Sequence, residues 1–175
     1  AIMRTMGWRA EGELPDVDKF VVVGAHHTSN WDFVMFLAYR LSTGLDLHWY
    51  AKDSVFRWPV GRLLRALGGI PIRRDRHENV VAQAIDTFGR HDRFVLCITP
   101  EGTRDKVDRW KMGFYHIARG ADVPILLSAF DFGNKRLLIG PTIWPTGDVD
   151  ADMAPVYDFY RPIVPKYPER AFDAG

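Results

Sequence analysis

The run Lys19-Phe20-Val21-Val22-Val23-Gly24-Ala25 leads without a break into His26-His27-Thr28-Ser29-Asn30-Trp31-Asp32. The first stretch is apolar and β-branched with no polar alternation, the pattern of a strand buried on both faces. Ser29 then stands three residues before Asp32, the spacing of a capping box that opens a helix. From Asn30 to Leu41, Phe33, Phe36, Leu37, Arg40 and Leu41 recur at helical spacing. A buried strand turning straight into a helix is the start of a βα unit, and it commits the chain to an α/β fold.

The alternation continues on the C-terminal side. Leu47 to Ala51 reads as a second strand. Pro59 suits the first turn of a helix over Val60 to Leu67, which Gly68-Gly69 stop. Ile70 to Arg73 form a third strand, and His77 to Phe88 a surface helix with Val80, Val81, Ala84, Ile85 and Phe88 inward. Phe94 to Thr99 make a fourth strand, and Met112 to Arg119 a helix closed by Gly120. Val123 to Phe130 and Arg136 to Ile139 read as two strands turning at Gly133-Asn134, and Asp150 to Tyr160 as a last helix. The pattern predicts one layered α/β domain over residues 1–175, a mostly parallel or mixed central sheet flanked by helices. A lead-in of about 1–18 and a Pro- and aromatic-rich tail of about 141–175 bracket it, and the site is expected at loops after strand C-termini.

Composition narrows the class. At 175 residues and 47% hydrophobic content the chain suits a globular domain, and its net charge of +1, without a recognisable motif, argues against nucleic acid. Arginine far outnumbers lysine among the 23 cations, which fits phosphate or carboxylate recognition but can equally reflect base composition. The single cysteine, Cys97, excludes an internal disulfide and fits a reducing compartment. It lies in an apolar strand, where a thiol behaves as a small hydrophobe. No run approaches the roughly 20 apolar residues of a membrane span, and no signal-peptide pattern opens the chain. The expected location is cytoplasmic, with peripheral contact on the inner face of a membrane open.

Two segments carry chemistry. His27 and Asp32, on the loop between first strand and first helix, can form a general-base pair in which the carboxylate fixes one ring nitrogen and frees the other. The alternative is that Asp32 only closes the capping box. His26 is a second candidate base. A metal site built from His26, His27, Asp32 and His116 lacks a recognisable ligand spacing. The second segment, Pro100-Glu101-Gly102-Thr103-Arg104, follows the fourth strand. Its glycine would let backbone approach a phosphate closely, and Thr103 and Arg104 add a hydroxyl and a bidentate cation. Alone, it could be a surface turn with Glu101 and Arg104 paired.

In this order, the two segments resemble the HX4D and EGTR blocks of the glycerolipid acyltransferases, the family that includes lysophosphatidic acid acyltransferase. The resemblance runs from about Val21 to Ala129. It includes Gly69-Ile70-Pro71-Ile72-Arg73-Arg74, similar to a block that holds the acceptor's phosphate, with Arg74 at the arginine position and Arg73 beside it. Trp110-Lys111-Met112-Gly113 and Val123-Pro124-Ile125 resemble the stretches that follow. Pro71, Asp105 and Leu127 depart from the family pattern near these acceptor blocks.

The resemblance implies a glycerol-3-phosphate acyltransferase-like fold. It implies acyl transfer from acyl-CoA or acyl carrier protein to a hydroxyl of a lysophospholipid-like acceptor, with no cofactor beyond the donor's carrier and no metal. His27 would deprotonate the hydroxyl and Asp32 would orient His27. Arg74, Gly102, Thr103, Arg104 and Lys111 would hold the acceptor, with Glu101 buttressing the loop rather than titrating. A non-glycerolipid acceptor (amine, sugar or specialised metabolite) or a non-catalytic lipid- or carrier-binding protein remain alternatives. The stretch from Phe56 to Arg65 mixes aromatics, leucines and arginines. It can dock on anionic headgroups, meet an acyl carrier protein, or simply face the core.

Overall fold

A computed structural model describes residues 2–72 and 80–173 of the chain. Arg74, together with Arg73 and His77, lies outside the described residues. The elements in chain order are α1 (Ile2–Thr5), β1 (Arg9–Glu11), β2 (Lys19–Gly24), α2 (Asn30–Thr43), β3 (Leu47–Lys52), a 3-10 turn (Asp53–Phe56), α3 (Val60–Ala66) and β4 (Gly69–Ile72). Then come α4 (Val80–Arg90), β5 (Phe94–Ile98), α5 (Gly113–Ala121), β6 (Ile125–Asp131), β7 (Arg136–Ile143), α6 (Val149–Tyr160) and a short 3-10 turn (Pro168–Arg170).

The strands form one mixed sheet in the order β1-β7-β6-β2-β5-β3-β4. All neighbours are parallel except β6 and β7, which pair antiparallel. β2 lies at the centre, hydrogen-bonded to β5 on one side and β6 on the other. Its alternate residues explain its unbroken apolar run. Val21 and Val23 join one core with Leu96, Phe114, Ile117 and Leu127, while Phe20 and Val22 join another with Leu47, Val95 and Leu126.

Connection direction decides which face each helix covers. From β2 the chain moves toward β3 through α2, whereas from β5 it moves the opposite way, to β6, through α5. Right-handed crossovers running in opposite directions place their helices on opposite faces. Residues of α4, α5 and α6 accordingly pack in the Val21/Val23 core, and Phe36 and Tyr39 of α2 pack against the Phe20/Val22 core. The C-terminal ends of β2 and β5 thus flank the point where the winding reverses, where open α/β sheets bind ligands.

Several expectations are refined. Leu41 is not inward: α2 buries Asp32, Met35 and Ala38, and Leu41 is exposed. Gly120 does not close α5. The helix ends at Asp122 in the left-handed region, with φ 53°. Gly120 lies inside the helix, where any Cβ would collide with Ile85 of α4, so its role is close helix approach. The β6–β7 turn is held by Asp131, whose carboxylate accepts the Asn134 N–H at 3.2 Å and the Arg136 guanidinium at 2.9 Å. β1, an exposed edge strand on β7, falls in the stretch read from sequence as a lead-in.

Tyr160 joins α6 to the sheet beneath the site. Its buried hydroxyl donates to Val23 O at 2.6 Å and accepts the Ser128 N–H at 3.2 Å, bridging β2 and β6 near their C-terminal ends. Leaving buried backbone groups unpaired costs about 1–3 kcal/mol. Tyr160→Phe is therefore expected to lower unfolding stability by that amount, read as a shifted urea midpoint with unchanged slope. An unshifted midpoint would show that the hydroxyl contributes nothing to the joint.

Candidate active site

α2 starts because Ser29 adopts an extended backbone and its hydroxyl accepts the Trp31 N–H at 2.9 Å, while Asp32 reaches back to complete the capping box. Asp32 Oδ2 accepts the N–H groups of both Thr28 and Ser29, at 2.9 and 2.8 Å. The same oxygen lies 3.3 Å from His27 Nδ1. The two readings open in the sequence are therefore one arrangement: the cap carboxylate is also the histidine's partner. At 3.3 Å the contact is longer than a well-formed charge-assisted hydrogen bond, and contacts of this kind commonly tighten when substrate binds. With Nδ1 turned to the carboxylate, Nε2 is left to the cavity that His27 lines.

His26 also lines the cavity, but its ring is engaged differently. It is buried, its Nε2 lies 3.3 Å from Tyr160 O, and its ring meets the Tyr160 ring edge-on. Burial holds its imidazole below the usual range, against the opposing pull of the Tyr160 carbonyl and the Asp32 charge. A neutral ring held on a backbone carbonyl is a packing group, and the base candidate is His27.

The second segment reaches the first through two cross-links. The His27 N–H donates to Glu101 Oε1 at 3.2 Å, and Arg104 Nη1 donates to Asn30 Oδ1 at the first residue of α2. Glu101 is 3% exposed and stands behind the loop rather than lining the cavity. Its carboxylate oxygen ties the His27 backbone to the turn that follows β5. Burial pushes its carboxyl up to about 7, opposed by its own backbone, the His27 N–H and the His27 ring.

Gly102 has φ +64°, and the Lys111 ammonium lies 3.0 Å from where a Cβ would stand. The glycine thus admits both the left-handed turn and the lysine beside it. Thr103 is engaged locally, accepting the Asp105 N–H at 3.3 Å and lying 3.4 Å from the Asp105 carboxylate. Gly102, Thr103, Arg104 and Lys111 all line one cavity with His27 and Asp32. Ile72, just before the undescribed stretch that holds Arg74, lines it too.

The cavity has a volume of about 860 Å³. Beside the polar groups just named its lining is mostly apolar, with Phe33 and Phe36 of α2, Val22, Leu126 and Trp49 of the sheet, and Phe114 of α5. Cys97 lines it as well, with burial pushing its thiol up to about 12, so it is protonated at neutral pH and is no nucleophile. Among the described residues no three His, Cys, Asp or Glu side chains come together as a metal site. Sequence reasoning missed Asn30, whose amide anchors Arg104 across 74 residues, because a helix's first residue gives no sign of a distant partner. It also missed Tyr160, which props the loop through His26.

The Acyltransferase family model matches residues 9–129 of this chain, and the chain belongs to that family. No curated protein matches it. Among solved structures it is similar to the 1-acyl-sn-glycerophosphate (LPA) acyltransferase, PlsC, from Thermotoga maritima. The TM-score is 0.60 and the identity 23%, over 82% of this chain and 64% of that one, so this chain spans less than two thirds of the relative's length. At that identity the likeness shows a shared fold.

Glu101 gives a pH test of the site's electrostatics. An acid whose folded pKa is raised binds its proton more tightly when folded, so stability is lost as pH rises from the unfolded value of about 4.5 to about 7. Glu101→Gln keeps an acceptor for the His27 N–H and removes the titration. Its stability relative to wild type should rise by roughly 3 kcal/mol between pH 4.5 and 7.5, read from urea unfolding at each pH. A pH-independent difference would mean that Glu101 ionises normally.

Proposed function

We propose that the chain transfers a fatty acyl group from a thioester, acyl-CoA or acyl carrier protein, to a hydroxyl of a lysophospholipid-like acceptor. The observation that carries this reading is the single cavity joining the His27/Asp32 pair to an apolar channel and to two cations, Arg104 and Lys111. An apolar channel suits an acyl chain, and its volume lies within the roughly 300–1,000 Å³ range of ligand pockets. The cations beside the base suit an anionic acceptor.

In this mechanism Asp32 holds the Nδ1–H tautomer of His27, and Nε2 accepts the proton of the acceptor hydroxyl. The oxygen attacks the thioester carbonyl carbon directly. As the tetrahedral intermediate collapses the C–S bond breaks, and the imidazolium returns its proton to the departing thiolate. No enzyme nucleophile is needed, since the acceptor supplies the oxygen. Gly102, Thr103, Arg104 and Lys111 orient the acceptor's anionic group, with Arg74 as a further contributor. The Glu101 carboxyl, bonded to the His27 N–H, keeps the base's backbone in place. We further infer that the reaction takes place beside a membrane, with the protein bound peripherally at its cytoplasmic face.

The test is thiol release from acyl-CoAs of several chain lengths, with and without lysophosphatidic acid. Wild type should release thiol only with acceptor, and His27→Ala should lose about 10²- to 10⁴-fold in kcat. Asp32→Asn keeps the capping shape but presents the wrong partner to Nδ1, and should lose activity of similar order. Near-normal rates in either variant would remove the pair from the mechanism. Release without acceptor, still dependent on His27, would point to hydrolysis or to a different acceptor. Arg104→Ala should raise the acceptor KM about 10- to 100-fold, the worth of a charge-assisted hydrogen bond. If only donor KM moved, Arg104 would belong to the donor site.

A further inference from the structure

The two faces of the sheet are finished differently. On the α4/α5 side both helices turn their large apolar residues inward, and neither exposes one. On the other side, α2 exposes Trp31 (50%), Val34 (46%) and Leu41 (60%). At 3.6 residues per turn these three fall within about 80° of one another, so they form one stripe. The 3-10 turn and α3 expose Val55, Val60, Leu63 and, at 88%, Trp58. The two elements are joined by ring contacts, Phe33 of α2 meeting Trp49 edge-on at 4.7 Å and Trp49 stacking on Phe56 at 6.0 Å. A soluble surface rarely gathers this many large apolar side chains on one side without a partner.

Between Arg57 and Arg65 every charged side chain is an arginine, with Asp53 at the start of the 3-10 turn the nearest acid in the chain. Arg57, Arg62 and Arg65 are all exposed, and neither Arg57 nor Arg62 is paired with a carboxylate among the described residues. Arg65 lies over the Phe56 ring at 5.3 Å. Exposed tryptophan and leucine interleaved with unpaired arginines is the chemistry of a bilayer interface, where the ring enters the headgroup boundary and guanidinium groups meet lipid phosphates. The patch also meets the site. Val55 is half exposed and lines the cavity, as do Leu64 of α3 and Phe33 and Phe36 of α2.

We propose that the α2–α3 side, with Trp58 and Leu63 at its tip, is the surface by which this protein docks on an anionic lipid bilayer. Docked this way, the cavity faces the membrane at Val55, and a lipid's chain can pass from bilayer to channel without crossing water. An acyl carrier protein would answer the arginines but not the exposed Trp58, Val60 and Leu63, so a bilayer is the occupant that the whole patch fits. The inference deepens the acyl-transfer reading, yet its test needs no turnover.

The experiment is co-sedimentation with vesicles of phosphatidylcholine alone or mixed with phosphatidylglycerol, without donor or acceptor. Wild type should bind the mixed vesicles, less so in high salt, and Trp58→Glu/Leu63→Glu should lose at least about 10-fold in apparent affinity. Arg57→Gln/Arg62→Gln should lose about 5-fold per arginine on the mixed vesicles and little on neutral ones. Circular dichroism and thermal unfolding check that the variants fold, and turnover on short-chain, monodisperse substrates should match wild type in both. The proposal is overturned if wild type ignores anionic vesicles, or if the Trp58/Leu63 variant sediments as wild type does. It is equally overturned if wild type is a dimer, or binds acyl carrier protein, through this patch instead. Should vesicle binding hold while no thioester is cleaved, the docking surface stands and the acyl-transfer reading alone falls.

Discussion

Asp32 sits one turn into α2, and from there its Oδ2 takes two loop N–H groups and lies within reach of the His27 ring. The rest of the site depends on that oxygen. A helix N-terminus favours negative charge because its first N–H groups and the helix dipole both point outward, which suits a carboxylate at this position. The two N–H groups it accepts belong to Thr28 and Ser29, the residues that turn the chain from β2 into α2. Helix start, loop shape and histidine orientation are therefore one constraint. The four-residue spacing follows from it, since the capping geometry puts the third helical residue opposite the loop that precedes the cap.

The sheet supplies the second half. β2 and β5 are adjacent and parallel, so their C-terminal ends lie side by side. The winding reverses between them, and the loops that leave them face a common crevice. This is why Glu101 meets the His27 N–H and Arg104 meets Asn30 despite a separation of 74 positions in the chain. Glu101 is spent on the join, and burial brings its carboxyl near neutral pH. The His27 N–H and the charge of a protonated His27 ring both pull that carboxyl back down.

What could be read from the sequence follows the strength of local signals. β2 and the start of α2 were legible because an unbroken β-branched run and a capping box are both strong and both agree. The helix over Gly113–Ala121 was legible in extent but not in its end, because Gly120 looks like a terminator and is instead a contact with Ile85. β1 was not legible: Arg9, Ala10 and Glu11 are all exposed, and their strand character comes only from pairing with β7. In the site, His27, Asp32 and the Glu101–Arg104 turn stood out through spacing. The Arg104–Asn30 bond did not, nor did the burial of Glu101, since pattern reports which residue types alternate and not how much water a folded neighbour removes. Thr103 stood out for its hydroxyl, which the structure gives in part to Asp105.

α2 also does more than carry Asp32. Phe33 and Phe36 on the same helix wall the apolar channel, and Met35 and Ala38 pack it on the core. The cavity wall and the Asp32 carboxylate are thus fixed to one helix, with Phe33 immediately after Asp32 in the chain. The outward stripe of that helix, Trp31, Val34 and Leu41, is exposed for the same geometric reason. Three surfaces of a single helix face base, channel and solvent, so a residue that strengthens core packing cannot be placed on all of them. The cavity of about 860 Å³ beside His27 is walled on this side by Phe33 and Phe36 and also reaches Phe114 and Ile117 of α5, while Phe88 and Ala118 stay fully packed in the Val21/Val23 core.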